Sequence, residues 1–187
     1  MWHSPASFQK DDAACQVLAD VLSGAGYSRL RKRLEYDNQM VYTIGAVQLL
    51  DKKLGSQFSL VFMARPGHTL EEIQAVVDEE IARISQEPPS QEEIDLAVSR
   101  IKRNYYRELE ENYNLAKSLN LYYCSVGQAD YFNRDMARYS SVTPQEVSDC
   151  AKRYLRPDRR AELTVVPEPS QGDGADAGPG TVGEVKP

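Results

Sequence analysis

"GYSRLRKRLEYDNQMVY", residues 26–42, is the stretch on which the reading turns. Four basic side chains, Arg29, Arg31, Lys32 and Arg33, fall within five positions. Glu35 and Asp37 follow, and an apolar run opens at Met40. Either this segment grips a polyanion or it is a short helix that delivers the chain into a strand. Leu30 and Leu34 recur at helical spacing, and most of the basic residues fall on the opposite side, as on a solvated helix face. The chain of 187 residues carries a formal charge of -6. It therefore lacks the summed positive field of a nonspecific nucleic-acid binder. The helix-to-strand reading wins, and it sets the frame for both flanks.

Downstream the period changes from helical to two. Tyr42, Ile44 and Ala46 alternate with Thr43, Gly45 and Val47. After the polar loop 51–57, Phe58, Leu60, Phe62 and Ala64 alternate with Ser59, Val61 and Met63. Two such runs around a short polar loop predict an antiparallel hairpin with one face buried. Upstream, Asp11 or Asp12 can cap a helix whose apolar face is Ala14, Val17, Leu18, Val21 and Leu22, and "SGAG" ends it. Ser28 can cap the short second helix. Trp2, Pro5 and Phe8 read as the end of a strand with nothing ahead of it to pair with, so the chain reads as starting part-way through something longer.

Past the hairpin, "RPG" (65–67) stops the strand and helix starts follow one another. Thr69 precedes Glu71 and Glu72, acids that suit a first turn. The stripe Leu70, Ile73, Val76, Val77, Ile81 and Ile84 continues from there. Ser90 and Glu93 form a capping box, as do Thr143 and Glu146 with Pro144 between them. One helix carries Ile94, Ala97, Val98, Ile101, Tyr105 and Leu109. The next carries Leu115, Leu119, Tyr122 and Val126 up to Gly127. A short helix is expected around 129–139 and a closing strand at "AELTVV", 161–166. The Gly/Pro-rich acidic stretch 168–187 lacks the apolar residues to offset its ordering entropy, so it reads as a disordered tail to a domain spanning 1–167. The plan is α+β, a small mainly antiparallel sheet packed against a block of helices. No run of 18 apolar residues occurs, so no membrane span is expected.

Chemistry is sparse. "HTLEE" (68–72) approaches an inverted zinc motif, H-x-x-E-H, but Glu72 stands where a second histidine ligand would be needed. A helix cap followed by first-turn acids accounts for all five residues, so no metal ligand and no catalytic residue is expected in this chain. "RNYYRELEENY" (103–113) could stack on bases, but a helix with half-buried tyrosines explains it better. Cys15, Cys124 and Cys150 form neither a CxxC nor a Cys/His cluster. Cys15 and Cys150 fall among apolar helix positions and read as small buried hydrophobes. One disulfide plus a free thiol fits instead if the protein is extracytoplasmic. No apolar signal region opens the chain, and a periplasmic location would require that it be the end of a longer precursor.

The ordered set of elements resembles a known family. "DDAACQVLADVLSGAGYSRLRKRLEYDNQMVYTIGA" is similar to the opening of the C-terminal domain of insulinase-type (M16) zinc peptidases. "FSLVFMARPGHTLEEIQAVVDEEIARISQEPPSQEEIDLAVSRIKRNY" is similar to the family's next strand and two helices, and "SSVTPQEVSDCAKRYLRPDRRAELTVVP" to its closing helix and strand. The resemblance implies a non-catalytic domain that helps wall a peptide-binding chamber. It implies zinc in a partner domain, in the same longer chain or another subunit, and none here. A peptide substrate is implied, and a homodimer is compatible. In active relatives this domain often offers an arginine and, seven residues later, a tyrosine to the substrate. The tyrosine position here is Tyr42. The arginine position is Glu35, a departure, and Arg33 could take it only with a gap. The alternative is a structural or interaction module of vestigial peptidase ancestry that touches no substrate.

Overall fold

The computed structural model describes residues 1–49 and 55–166. The expected tail 168–187 and most of the hairpin loop lie outside them. Among the described residues, three strands form one antiparallel sheet in the order β1-β3-β2: β1 Trp2–Ser4, β2 Val41–Leu49 and β3 Ser56–Ala64. The hairpin forms as expected. The strand read from Trp2 is shorter than Phe8 would imply and has a partner, pairing Trp2 with Phe58 and Ser4 with Ser56.

Helices α1 Asp12–Ser23, α2 Leu70–Gln86, α3 Gln91–Leu109, α4 Asn112–Val126, α5 Phe132–Ser140 and α6 Pro144–Tyr154 make up the rest. Their starts follow the sequence closely. Thr69, Ser90 and Thr143 each close a reciprocal capping box with the glutamate three residues on. Gly127 ends α4 in the left-handed conformation, φ 74°, which costs glycine nothing. The core forms where α1 lies against the sheet and α2, α3 and α6 close around it. Val17, Leu18 and Leu22 of α1, Ile44 and Phe58 of the sheet, and Ile73 and Ile84 of α2 are all buried there.

Five readings need correction. The cap of α1 is Asp11, but its side chain caps nothing: it accepts from Arg153 at 2.5 Å and from the Tyr154 hydroxyl at 3.3 Å, tying α1 to α6. The short second helix is a π-helical turn, Arg31–Asp37, and Ser28 is buried without capping it. The face of α4 bearing Leu115 and Leu119 is largely exposed, and only Tyr122 is buried, packed on Phe8 and Tyr131 with its hydroxyl donating to Asp135 at 3.0 Å. Of the tyrosines in 103–113 only Tyr105 packs on the core; Tyr106 and Tyr113 are exposed. The closing strand at 161–166 does not join the sheet. Arg160 forms a lone antiparallel bridge to Trp2, Met1 and Ala161 exchange backbone hydrogen bonds of 2.8 and 2.9 Å, and Leu163, Val165 and Val166 are exposed.

A disulfide joins Cys15 of α1 to Cys150 of α6, both buried, and Cys124 is free and exposed. Of the two cysteine readings, the pairing holds. Sequence spacing gave no sign of it, since 135 residues separate the partners.

Candidate functional site: a bulged strand and an arginine-bound glutamate

The π-helical turn enters β2 through Gln39, whose φ of 50° turns the chain, and the Met40 amide donates to Leu34 O at 2.8 Å. The pairing of β2 with β3 then slips. Val41 opposes Ala64 and Thr43 opposes Met63, so Tyr42 is an extra residue on β2. Such a bulge breaks the two-residue alternation and re-aims a side chain. Val41 and Ile44 are both buried in the core, while Tyr42 lies 54% exposed. The expected alternation placed Tyr42 with Ile44; the bulge puts it on the opposite face. Val47 and Leu49 of β2 and Val61 and Met63 of β3, all exposed, share that face by register. The sheet therefore has one face under helices and one that bears the exposed apolar side chains Val47, Leu49, Val61 and Met63, with Thr43 and the buried Ser59 among them.

Arg65 holds this corner. Its amide donates to Met40 O at 2.9 Å and its Nε to Val41 O at 3.0 Å, and its guanidinium lies 5.2 Å from the centre of the Tyr42 ring. That distance suits a cation–π contact. In the sequence Arg65 reads only as part of a strand-stopping "RPG". Nothing local marks it as the neighbour of a tyrosine 23 positions earlier.

Glu35 lies on the π-helical turn, where its carboxylate accepts from Arg31 at 2.9 Å. Arg31 also donates from Nε to Ser23 O at 2.9 Å, at the end of α1. Glu35 and Tyr42 are thus engaged separately, Glu35 by Arg31 and Tyr42 by Arg65. An acid already paired this way offers negative charge, where an arginine would offer donors to a developing oxyanion.

The basic cluster is not the solvated face its spacing suggested. Arg29 makes a two-pronged contact with Glu93, at 2.7 and 2.9 Å, and approaches Glu80 at 3.6 Å. Arg33 bridges Glu79 at 2.8 Å and Glu80 at 3.1 Å, and Arg83 reaches Glu80 at 3.1 Å. Glu80 is fully buried. A lone buried carboxylate would be costly, and three guanidiniums around it offset that cost. The hydrogen bonds from Arg29 hold the Glu93 carboxyl below its ordinary range and raise Arg29 in turn; Glu79 likewise raises Arg33. A sequence signal did exist. Glu80 falls on the same α2 face as Ile73, Val77 and Ile84, and an acid on a core stripe calls for cations from elsewhere. Of the four basic residues only Lys32 is left exposed.

His68 sits 3.8 Å from Glu72, whose carboxylate also accepts from the Thr69 amide at 3.2 Å in the capping box. Among the described residues no three His, Cys, Asp or Glu side chains are grouped to hold a metal ion, and no helix is long and apolar enough to cross a membrane.

Sheet order, hairpin, capped helices and the Ser28-Arg29-Leu30 corner together define an α+β domain of the peptidase type that the sequence resembles. The family model described as the Peptidase M16 inactive domain matches residues 1–101, and the chain belongs to that family. Solved structures share the fold. The inactive peptidase domain of a candidate zinc protease from Bordetella parapertussis is 19% identical, with a TM-score of 0.77 over 91% of this chain and 91% of that one. A protease from Helicobacter pylori is 17% identical with a TM-score of 0.73, and a peptidase M16 inactive domain from Pseudomonas fluorescens 19% with 0.67. Each of these covers 84% of this chain, which spans only 38% and 37% of theirs. No curated protein matches.

Proposed function

We propose that this chain is the non-catalytic domain of an M16-type zinc protease. Its open sheet face walls part of a chamber for extended peptide, and it assists proteolysis by a zinc-bearing domain in the same longer chain or another subunit. The observation that carries this reading is the bulge at Tyr42. It moves a tyrosine and its stacked arginine onto the face that bears the exposed Val47, Val61 and Met63. Such a surface suits an extended peptide, with apolar side chains to bury and a hydroxyl to bond its backbone. Tyr42 is the substrate-contacting residue of this reading. Glu35, held by Arg31 on the π-helical turn, is the second candidate, an acid that bears on the charge of the peptide. Zinc and the activated water belong to the partner domain.

The test is reconstitution. The chain alone, with zinc added, should leave peptides intact. Mixed with or fused to a zinc-bearing M16 domain, it should raise turnover at least tenfold over that domain alone. Chelator-sensitive cleavage by the isolated chain, or full activity of the zinc-bearing domain without it, would overturn the proposal.

A further inference from the structure

Seven arginines are partly buried among the described residues, and six of them hold a carboxylate. Arg29 takes Glu93, Arg31 takes Glu35 and Arg33 takes Glu79. Arg100 takes Asp20, Arg138 takes Asp135 and Arg160 takes Asp78. Arg65 is the exception. Its side-chain contacts among the described residues are a backbone carbonyl and an aromatic ring. A guanidinium drawn part-way out of water is ordinarily matched by an acid. Arg65 is thus a cation without a counter-ion in a chain whose formal charge is -6.

The group is nonetheless fixed in place. Its Nε–H donates to Val41 O at 3.0 Å, and its central carbon lies 5.2 Å from the centre of the Tyr42 ring. The backbone is held on both sides, the amide by Met40 O at 2.9 Å and the carbonyl by the His68 amide at 3.3 Å. The two Nη groups have no acceptor among the described residues. They form a flat fork of N–H donors, and that fork matches the two oxygens of a carboxylate. A side chain already held in one geometry loses less freedom on binding than a mobile one. Tyr42 beside it is exposed, as are Val61 and Met63 further along β3. Glu35 does not compete for the fork, because Arg31 holds it.

We infer that Arg65 is the specificity-determining residue of the Tyr42 face, and that its Nη fork binds one carboxylate of the peptide. Val61 and Met63 carry the apolar side chains next to that carboxylate. The carboxylate is either the C-terminus of the peptide or an aspartate or glutamate side chain within it. The face therefore selects acidic peptides over neutral ones. This rests on the reading above that the face receives peptide.

Peptide titration of the full chain tests this, followed by NMR at the Arg65 Nε–H and the Tyr42 ring. Three acetylated peptides share one apolar sequence. The first has a central glutamine and a free C-terminal carboxylate. The second has a central glutamate and is amidated. The third has the glutamine and is amidated, so it is neutral. At least one acidic peptide should bind about fivefold tighter than the neutral one, the upper range for an ion pair reached by solvent. The tighter of the two names the source of the carboxylate. Salt at about 0.5 M should remove most of the preference. Arg65→Gln should abolish it, and Arg65→Lys, which keeps the charge and loses the flat fork, should reduce it. The preference and its salt dependence are read on the native chain, so the test survives a variant that fails to fold. Equal binding of all three peptides, or no binding at millimolar peptide, would overturn the inference. So would a preference that persists in Arg65→Gln, which would leave Arg65 as a clamp on Val41 alone. Inorganic phosphate binding tighter than either acidic peptide would assign the fork to phosphate and also overturn it. In the reconstituted peptidase, turnover with no preference for acidic peptides would refute the inference and leave the chamber reading standing. Acid-selective binding by the chain together with a failed reconstitution would do the reverse.

Discussion

At the residue scale, two side chains carry most of the consequence. Tyr42→Phe removes only the hydroxyl and keeps the ring under Arg65. If that hydroxyl bonds the substrate in the transition state, kcat of the reconstituted peptidase falls about tenfold or more, equivalent to roughly 1.4 kcal/mol. An unchanged kcat would reduce Tyr42 to a packing residue. Arg29 is different in kind, because it holds Glu93 and stands next to Glu80. Arg29→Met keeps much of the stem's packing and strips both carboxylates of a partner. Arg33 and Arg83 remain at Glu80, so the cost falls short of an uncompensated buried charge. Urea denaturation should show a loss on the order of 2 kcal/mol. A loss within error of zero would mean that the arginines are interchangeable there.

At the element scale, the start of α3 joins two devices on one glutamate. Glu93 accepts from the Ser90 amide at 2.8 Å and takes the fork of Arg29. Its carboxyl is held below the ordinary value of 4.5, first by the Arg29 hydrogen bond. A depressed folded-state value means that the stabilisation is present above the unfolded value and is lost as pH falls through the folded one. The acid limb of the stability curve, below about pH 4.5, should therefore be shallower in Glu93→Gln than in the native chain. Equal slopes would show that the pair does not contribute. Ser90→Ala at the same helix start should cost about 1 kcal/mol, read from the denaturation midpoint. These helix starts were legible from sequence because a capping box is complete within four consecutive residues. The bulge at Tyr42 was not. It depends on how the π-helical turn delivers the chain to β3 and on Arg65 clamping Val41 from the far end of the hairpin.

At the scale of the molecule, the Cys15–Cys150 bond closes a loop of 135 residues between α1 and α6. On the chain-entropy model such a crosslink is worth about 5 kcal/mol, an upper figure for a chain with residual unfolded structure. Denatured without reductant, the protein should titrate one thiol, Cys124, and three after reduction, with Tm lower in the reduced form. Three thiols from the start would refute the pairing in solution. The contrast among Cys15, Glu80 and Thr69 shows where legibility ends. Apolar periodicity, turn residues and caps act within a few positions, so the α+β plan, the hairpin and the helix boundaries could be read from residue order. The pairing of Cys15 with Cys150, the three arginines around Glu80 and the side on which Tyr42 emerges all join residues tens of positions apart. Burial cost and ladder register act only once the chain has closed on itself, and no local pattern records those contacts.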